Sequence, residues 1–576
     1  MKTQDAQLQK QFEEAEGALA RRSVNWREYL TPRRLRTWRE YLTAYIMIAP
    51  SVTLIFVFGI FPVGFALFVS MHRWRLKRGE IIGLENYITA IGPLAYLLVL
   101  ALGFGLVVLA IILFRRTYRS IDNNHSRFWF LNIPGILLAG TALSFVRWTV
   151  VLLPNILDIA NKLPGAEKTR ELFMNLLHEA FTTPEVLQAR AVMFYLGIAT
   201  LLVVIAALFY WRDPENIEYQ GQLAASWVLA GTGALVLYYV YSQMMNAYGA
   251  AVQAGVDPGI TPQLVSITTG LVLLFIGWKL WQGVTDQNNT ILFLLRLMGA
   301  VGFIAGGWVM VGELPVIVAS GDPDLWEGLK ATLFYSVGTI PFQLVISIFL
   351  AVLLFQKLKG SEFFRVMFFL PYVTPTVASA AVFRQIFSNR IQSPVNQVMR
   401  MFGLEPLQWL WEPKGIFQIL ATRFGIPSWP AWADGPSLAL VVIMIYSVWV
   451  FVGYDTVIYL AGLGNISKEL SESAEVDGAN QWQVFRYITF PLLSPTTYFL
   501  TLIAIIGTFK AFNHIWVMRL GAALGTTDTF SVVIFTEFFE KLRYGYASAM
   551  AFILFAIILL LTFFNNKIQG SRVFYG

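Results

Sequence analysis

The chain has 576 residues, 56% of them hydrophobic, 15% aromatic and only 13% charged, with a formal net charge of +7. So little charge excludes a soluble globule, and the absence of cysteine excludes disulfides and thiolate sites. The basic excess does not point to nucleic acid, because a polytopic membrane protein with basic inner loops carries the same sign. The four histidines, His72, His125, His178 and His514, are too scattered in sequence for a metal site.

Residues 1–42 are polar and basic, with Arg21, Arg22, Arg27, Arg33, Arg34, Arg36 and Arg39 ahead of the first apolar run. The lead is too long for a cleavable signal peptide, and the run reaches spanning length without a small-residue cleavage pattern. An arginine excess beside a first span predicts a cytoplasmic N-terminus held by anionic lipid; a partner-binding helix is the other reading. A hydrocarbon core of about 30 Å needs roughly 20 apolar residues per helix. Twelve segments qualify, near 43–69, 94–114, 129–153, 191–211, 223–243, 264–282, 290–312, 328–356, 364–387, 437–460, 494–518 and 545–565. An all-α integral membrane protein of about 12 transmembrane helices follows, with both termini cytoplasmic. Arg115, Arg116, Arg119, Lys357, Lys359, Arg365, Arg486, Lys567 and Arg572 fall in predicted inner loops and support this, whereas Arg73, Arg75, Lys77 and Arg78 fall outside and break the rule.

Residues 388–436 form a long predicted outer segment rich in Trp, Pro and Gly, including Trp409-Leu410-Trp411 and Trp429-Pro430-Ala431-Trp432. Rings interrupted by turn residues suit a compact loop that receives a soluble partner, or an interfacial segment with its rings among headgroups. Ionisable groups inside spans are costly and face a partner or a water-filled cavity. Asp455 follows Tyr454 in the tenth span; Lys510 lies in the eleventh beside Thr508, Phe512 and Asn513, a set suited to hydrogen bonding a polyol. A local hydrogen bond for Asp455 and a snorkelling chain for Lys510 are the alternatives.

Between the tenth and eleventh spans runs ESAEVDGANQWQVFRYITFP, Glu472 to Pro491. Two short helices are predicted, joined at Asp477-Gly478-Ala479, where Gly takes positive φ without penalty. Small residues, Ser473, Ala474, Gly478 and Ala479, leave a knuckle able to enter a groove of another protein, with Glu472, Glu475 and Asp477 free for charged contacts. An amphipathic surface loop is the other reading of the spacing.

The order Glu472, Ala474, Asp477-Gly478-Ala479, Ile488 and Pro491 resembles the EAA motif of permease subunits of binding-protein-dependent ABC importers, with Ser473 and Phe490 as mild departures. Gly83-Leu84-Glu85-Asn86-Tyr87, Leu325 to Leu333, Leu370-Pro371-Tyr372 and Tyr544 to Ala549 are similar to sugar permeases of the maltose-importer type. The Gly-Gly-Pro usual in that family is replaced by Leu520-Gly521-Ala522-Ala523-Leu524-Gly525, which puts the outer turn there in doubt. The resemblance implies a six-span type I importer core interrupted by an inserted six-span region. The expected divisions are 1–42, the first core span and outer loop 43–92, the insert 93–320, and the last five core spans 321–576 with outer loop 388–436 and coupling loop 464–491.

The resemblance further implies that Glu472, Ser473, Ala474, Asp477, Gly478, Ala479, Ile488 and Pro491 couple the chain to a cytoplasmic ATPase. It implies that Tyr454, Asp455, Thr508, Lys510, Phe512 and Asn513 border the substrate path of a carbohydrate permease. The partners implied are a second permease in a heterodimer, two ATPase subunits and an extracytoplasmic sugar-binding protein, with lipid around the spans, no nucleic acid and no metal. No Gly-x4-Gly-Lys-Ser/Thr loop occurs, so ATP and Mg²⁺ belong to the partner, no cofactor is expected on this chain, and it is not expected to be an enzyme. An ion-gradient transporter would require repeated halves and midplane carboxylates. A membrane enzyme or scaffold built on the insert offers only Arg147 and Asp158, which read as interfacial anchors.

Overall fold

The computed structural model describes residues 32–121, 125–162, 170–210, 215–255, 260–284, 290–312, 320–356, 359–426 and 429–570. Arg21, Arg22, Arg27, Lys357, Pro427, Ser428 and Arg572 lie outside the described residues. The chain divides into residues 1–69 and 70–576. In the first unit α1 (Pro32–Ile55) continues through a π turn (Phe56–Ile60) into α2 (Phe61–Ser70). Residues Arg39–Ser70 form one apolar segment of spanning length.

The second unit opens with a hairpin of β1 (His72–Trp74) and β2 (Arg78–Ile81), then α3 (Glu85–Ile91). The helices α4 (Leu94–Ser120), α5 (His125–Lys162), α6 (Arg170–Thr182), α7 (Pro184–Tyr210), α8 (Glu215–Gln253), α9 (Ile260–Gln282) and α10 (Thr290–Val311) follow. Next come α11 (Pro323–Phe355), α12 (Ser361–Val373), α13 (Thr376–Ile386), α14 (Pro394–Met401), α15 (Ile416–Arg423) and α16 (Leu438–Gly464). The chain ends with α17 (Lys468–Val476), α18 (Gln481–Val484), α19 (Phe490–Leu492), α20 (Ser494–Phe509), α21 (Asn513–Met518), α22 (Phe530–Phe535) and α23 (Tyr544–Gln569).

Among the described residues, 9 helices are long and apolar enough to span a membrane, or 11 if two bent pairs count as single spans. The apolar helix α9 occupies the remaining predicted segment, so each predicted segment is mainly helical among the described residues. Two of them are not straight. Helices α12 and α13 meet at 93° across Thr374 and Pro375, because the residue before a proline is driven out of the helical region, and Thr374 sits at ψ 137°. The segment expected as one span over 494–518 is broken: α20 ends at Phe509 and α21 restarts at Asn513. No proline or glycine stands in that break; tertiary contacts replace the lost helical bonds, and the Ser531 hydroxyl donates to the Phe509 carbonyl at 2.9 Å.

Helix α16 is the buried centre of the second unit, packed along α11 and α12. At Gly453 an added Cβ would fall on the Phe368 carbonyl oxygen of α12, so only glycine permits this backbone approach. The segments flanking residues 93–320 meet in space. The Asp322 amide donates to the Ala90 carbonyl at 3.0 Å, and Tyr546 at the start of α23 donates to Asp322. Ala90, Ile91, Leu325, Phe530, Tyr546 and Met550 share one buried cluster around this junction. Asn86 closes the loop above it, its amide donating to the carbonyls of Ser70 (2.8 Å) and His72 (3.1 Å).

Within 93–320, close packing of small residues joins helices that have no hydrophobic drive to associate in lipid. Gly103 of α4 and Gly233 of α8 face each other's helices, and Gly270 and Gly277 of α9 face Gly307 and Ala300 of α10. The outer segment folds upon Asn396, which is fully buried. Its Nδ2 donates to the Arg390 (3.0 Å) and Leu407 (3.2 Å) carbonyls, and its Oδ1 accepts from Trp409 Nε1 at 2.8 Å. The altered outer turn is a short 3-10 turn over Gly521–Ala523, with Leu524 at φ 51° and Gly525 at φ 76°.

Candidate functional site: a polar cavity and an exposed turn

Helices α11, α12, α16 and the α20–α21 break enclose a cavity of about 320 Å³. All six residues expected on the substrate path line it: Tyr454 and Asp455 from α16, Thr508 from α20, and Lys510, Phe512 and Asn513 from the break and the start of α21. The break accounts for the grouping. A continuous helix would distribute positions 508–513 around its circumference, whereas the interrupted one gathers them at one wall.

Asp455 is 4% exposed and its Oδ2 is buried with no hydrogen-bond partner. The local hydrogen bond considered from sequence is therefore not made by that oxygen. Gln343, also 4% exposed, presents an equally unpartnered Oε1 to the same cavity. Lys510 is exposed to the cavity, and no ion pair joins it to Asp455. Thr508 is engaged in packing: it accepts from Ser336 at 2.8 Å and donates to the Ala504 carbonyl at 2.9 Å.

Aromatic rings supply the rest of the wall. Tyr372 stacks on Tyr454 at 4.6 Å, a contact made possible by the close approach at Gly453. Tyr446 stacks on His514 at 5.4 Å; His514 Nε2 lies 2.8 Å from the Tyr335 hydroxyl, which lies 2.6 Å from Ser447. Tyr335, Gln343, Tyr372 and Tyr446 are cavity residues that a search for charged groups in spans misses, because all four are uncharged; His514 ends the polar run that holds Lys510 and Asn513. An amide in the apolar run of α11 was the readable signal, since Gln343 interrupts the hydrophobic stretch that follows Pro341. Polar atoms among aromatic faces can hydrogen bond hydroxyls while rings cover the apolar faces of a ring-shaped polyol.

The second feature is the turn at Gly478. Ser467 caps α17 by accepting from the Glu469 amide at 3.3 Å. The helix ends with Gly478 at φ 88°, its amide bonded to the Glu475 carbonyl (3.0 Å) and that of Ala479 to the Ala474 carbonyl (2.9 Å), the paired closure of a Schellman motif. Asn480 and Gln483 then exchange side-chain and backbone bonds at 2.8 and 2.9 Å and start α18. Nothing lies within 4 Å of a Cβ at Gly478, so backbone geometry rather than crowding requires glycine there.

Glu472, Ser473, Asp477 and Gly478 are exposed, and Ala474 and Ala479 half-buried. Val476, Trp482 and Tyr487 stand bare beside them, Val476 at 87% exposure. Ile488 and Pro491 are not on the turn; they lie in the π turn Phe485–Thr489 and in α19, which lead to the 61° bend into α20.

Comparison with known proteins places these features in a family. The profile described as "Binding-protein-dependent transport system inner membrane component" matches residues 343–573, which include the cavity helices α12, α16 and α20 and the turn. A probable ABC transporter permease protein of Bacillus subtilis (strain 168) is 31% identical over 276 residues, covering 47% of this chain and 81% of that protein. The lactose transport system permease protein of Rhizobium radiobacter is 29% identical over 257 residues (44% and 78%). The arabinooligosaccharides transport system permease protein of Halalkalibacterium halodurans is 28% identical over 252 residues (43% and 72%). This multi-pass membrane chain thus belongs to the family of ABC transporter permeases that form the inner-membrane component of binding-protein-dependent transport systems.

Proposed function

We propose that the chain is the permease subunit of a carbohydrate importer of the cytoplasmic membrane, with both termini cytoplasmic. The observation that carries this reading is the cavity: Asp455, Gln343, Lys510 and Asn513 converge among Tyr372, Tyr454 and Phe512, a wall suited to a mono-, di- or oligosaccharide or related polyol. The lactose and arabinooligosaccharide permeases among its relatives act on that substrate class. A second permease completes the path as a heterodimer, and an extracytoplasmic binding protein delivers the sugar.

The turn from Glu472 to Ala479 enters a cleft of one of two ATPase subunits, which bind ATP and Mg²⁺ and carry out the hydrolysis. Bare Val476, Trp482 and Tyr487 give it an apolar contact face. From the turn the chain runs through Ile488 and Pro491 into α20, whose far end forms the cavity wall at Lys510. Movement of the turn is thereby transmitted to the substrate path. Coupling requires only that the ATP-bound and ATP-free motors favour different arrangements of this segment.

The test is ATP hydrolysis and radiolabelled sugar uptake in proteoliposomes carrying the co-purified complex, wild type against Gly478→Asp. Aspartate tolerates positive φ better than most residues and meets open space, so the permease folds while the contact face gains bulk and charge. Uptake is expected to fall more than tenfold, together with loss of the ATPase from the purified complex. Wild-type uptake that needs no ATPase and follows an imposed ion gradient would overturn the reading.

A further inference from the structure

Residues 93–320 lie outside the stretch matched by the family profile, yet they carry a formed groove of about 590 Å³ between α4, α5 and α8. Its walls are aromatic and mutually fixed. Phe114 meets Phe128 edge-on at 5.2 Å and Trp227 edge-on at 6.4 Å. Trp227 Nε1 donates to Asn132 Oδ1 at 2.7 Å, which satisfies the polar end of that indole and leaves its apolar body on the groove. Ala110 and Ala230 keep the lining low between the rings, and exposed Trp129 flanks it.

Charge is confined to one end. Arg115 lines the groove, Arg116 and Arg119 stand on the same last turns of α4, and all three are exposed. None of them forms an ion pair among the described residues, and α4 carries no Asp or Glu along its length. Glu218 on α8 accepts from Gln222 at 3.0 Å and forms no ion pair with the three arginines. An apolar slot within the span that ends at exposed guanidinium groups matches a ligand with a long hydrocarbon chain and an anionic head.

We propose that this groove is a binding site for an anionic glycerophospholipid, one acyl chain lying between Phe114 and Trp227 and the phosphate meeting Arg115, Arg116 and Arg119. A free phosphate would leave the aromatic walls unused, and a zwitterionic lipid would leave the cations uncompensated. Eight predicted spans separate the Ser120 end of α4 from the Gly478 turn, which puts both on the same side in the expected topology. Placing the lipid in the inner leaflet rests on the proposed ATPase contact; the site itself does not.

The experiment is native mass spectrometry of the full chain released from nanodiscs of equal phosphatidylglycerol and phosphatidylcholine with matched acyl chains. Wild type is expected to retain one phosphatidylglycerol in preference to phosphatidylcholine. Replacing the three arginines by glutamine (Arg115→Gln, Arg116→Gln, Arg119→Gln) should reduce that preference at least fivefold, and replacing them by lysine should keep most of it. Ala230→Trp, which fills the groove and leaves the charges, should lower retention to a similar degree. Equal retention of the two lipids by wild type, or undiminished preference in either the glutamine or the Ala230→Trp variant, overturns the proposal; if one variant fails to fold, the other decides. No ATP or sugar enters the assay, so its failure is distinct from failure of the transport reading.

Discussion

Asp455 shows how a residue poorly suited to the folded chain alone would fit the proposed transport path. Leaving a buried polar atom without a partner costs about 1–3 kcal/mol, more when it is charged, and both Asp455 Oδ2 and Gln343 Oε1 are in that condition on one cavity wall. Such a cost is tolerated where a ligand or water meets the atom during the working cycle. Asp455→Leu should therefore raise the midpoint of thermal unfolding in detergent, by an amount equivalent to about 1–3 kcal/mol, while sugar uptake falls at least tenfold. A variant that melts earlier and transports normally would assign Asp455 to structure instead. From sequence Asp455 stood out by its charge; Gln343 and Tyr335 did not, because an amide and a phenol inside a span are common enough that only their neighbours identify them.

At the scale of elements, the contact of α12 with α16 decides whether the cavity exists. Gly453 has the Phe368 carbonyl where its Cβ would be, and one residue on, Tyr454 stacks on Tyr372. Gly453→Ala should force the helices apart, at about 1–3 kcal/mol or more for overpacking, with uptake lost in step with Tyr372 contact. Gly507→Ala is the control: Gly507 lines the cavity and, like Gly453, is helical, but nothing lies within 4 Å of its Cβ, so melting should hold or improve by about 0.5–1 kcal/mol. Thermal unfolding of the two purified variants beside wild type separates the cases, and equal behaviour would deny the close approach. Both glycines look alike in sequence, since close approach is a property of the opposite helix.

For the whole molecule, the junction at Ala90 and Asp322 has a consequence for residues 93–320. The chain enters and leaves residues 93–320 beside positions joined by one 3.0 Å hydrogen bond, with Tyr546 holding Asp322 from α23. A chain in which Gly92 is linked to Gly321 through a short glycine-serine connection should still assemble with its ATPase and transport. Its melting temperature should drop, because Leu84, Tyr96 and Val240 share a buried cluster that spans the boundary. Co-purification and uptake by the shortened chain check this; a chain that no longer assembles would make the insert part of the permease core.

The sequence by itself determined the class, the helical segments, the turn and the family. Spanning helices must satisfy their own backbone inside lipid, so apolar length reports them directly, and positive φ at Gly478 is a local property written in Asp477-Gly478-Ala479. Tertiary structure alone decided that 494–518 breaks after Phe509, that Gln343 and Tyr335 join the cavity, and that arginines of α4 end an aromatic groove. Each depends on which side chains arrive from another helix: Ser531 takes the carbonyl freed at Phe509, and Trp227 closes on Phe114 from more than a hundred positions away. Periodicity along one chain records which face of a helix is apolar, but not what will lie against it.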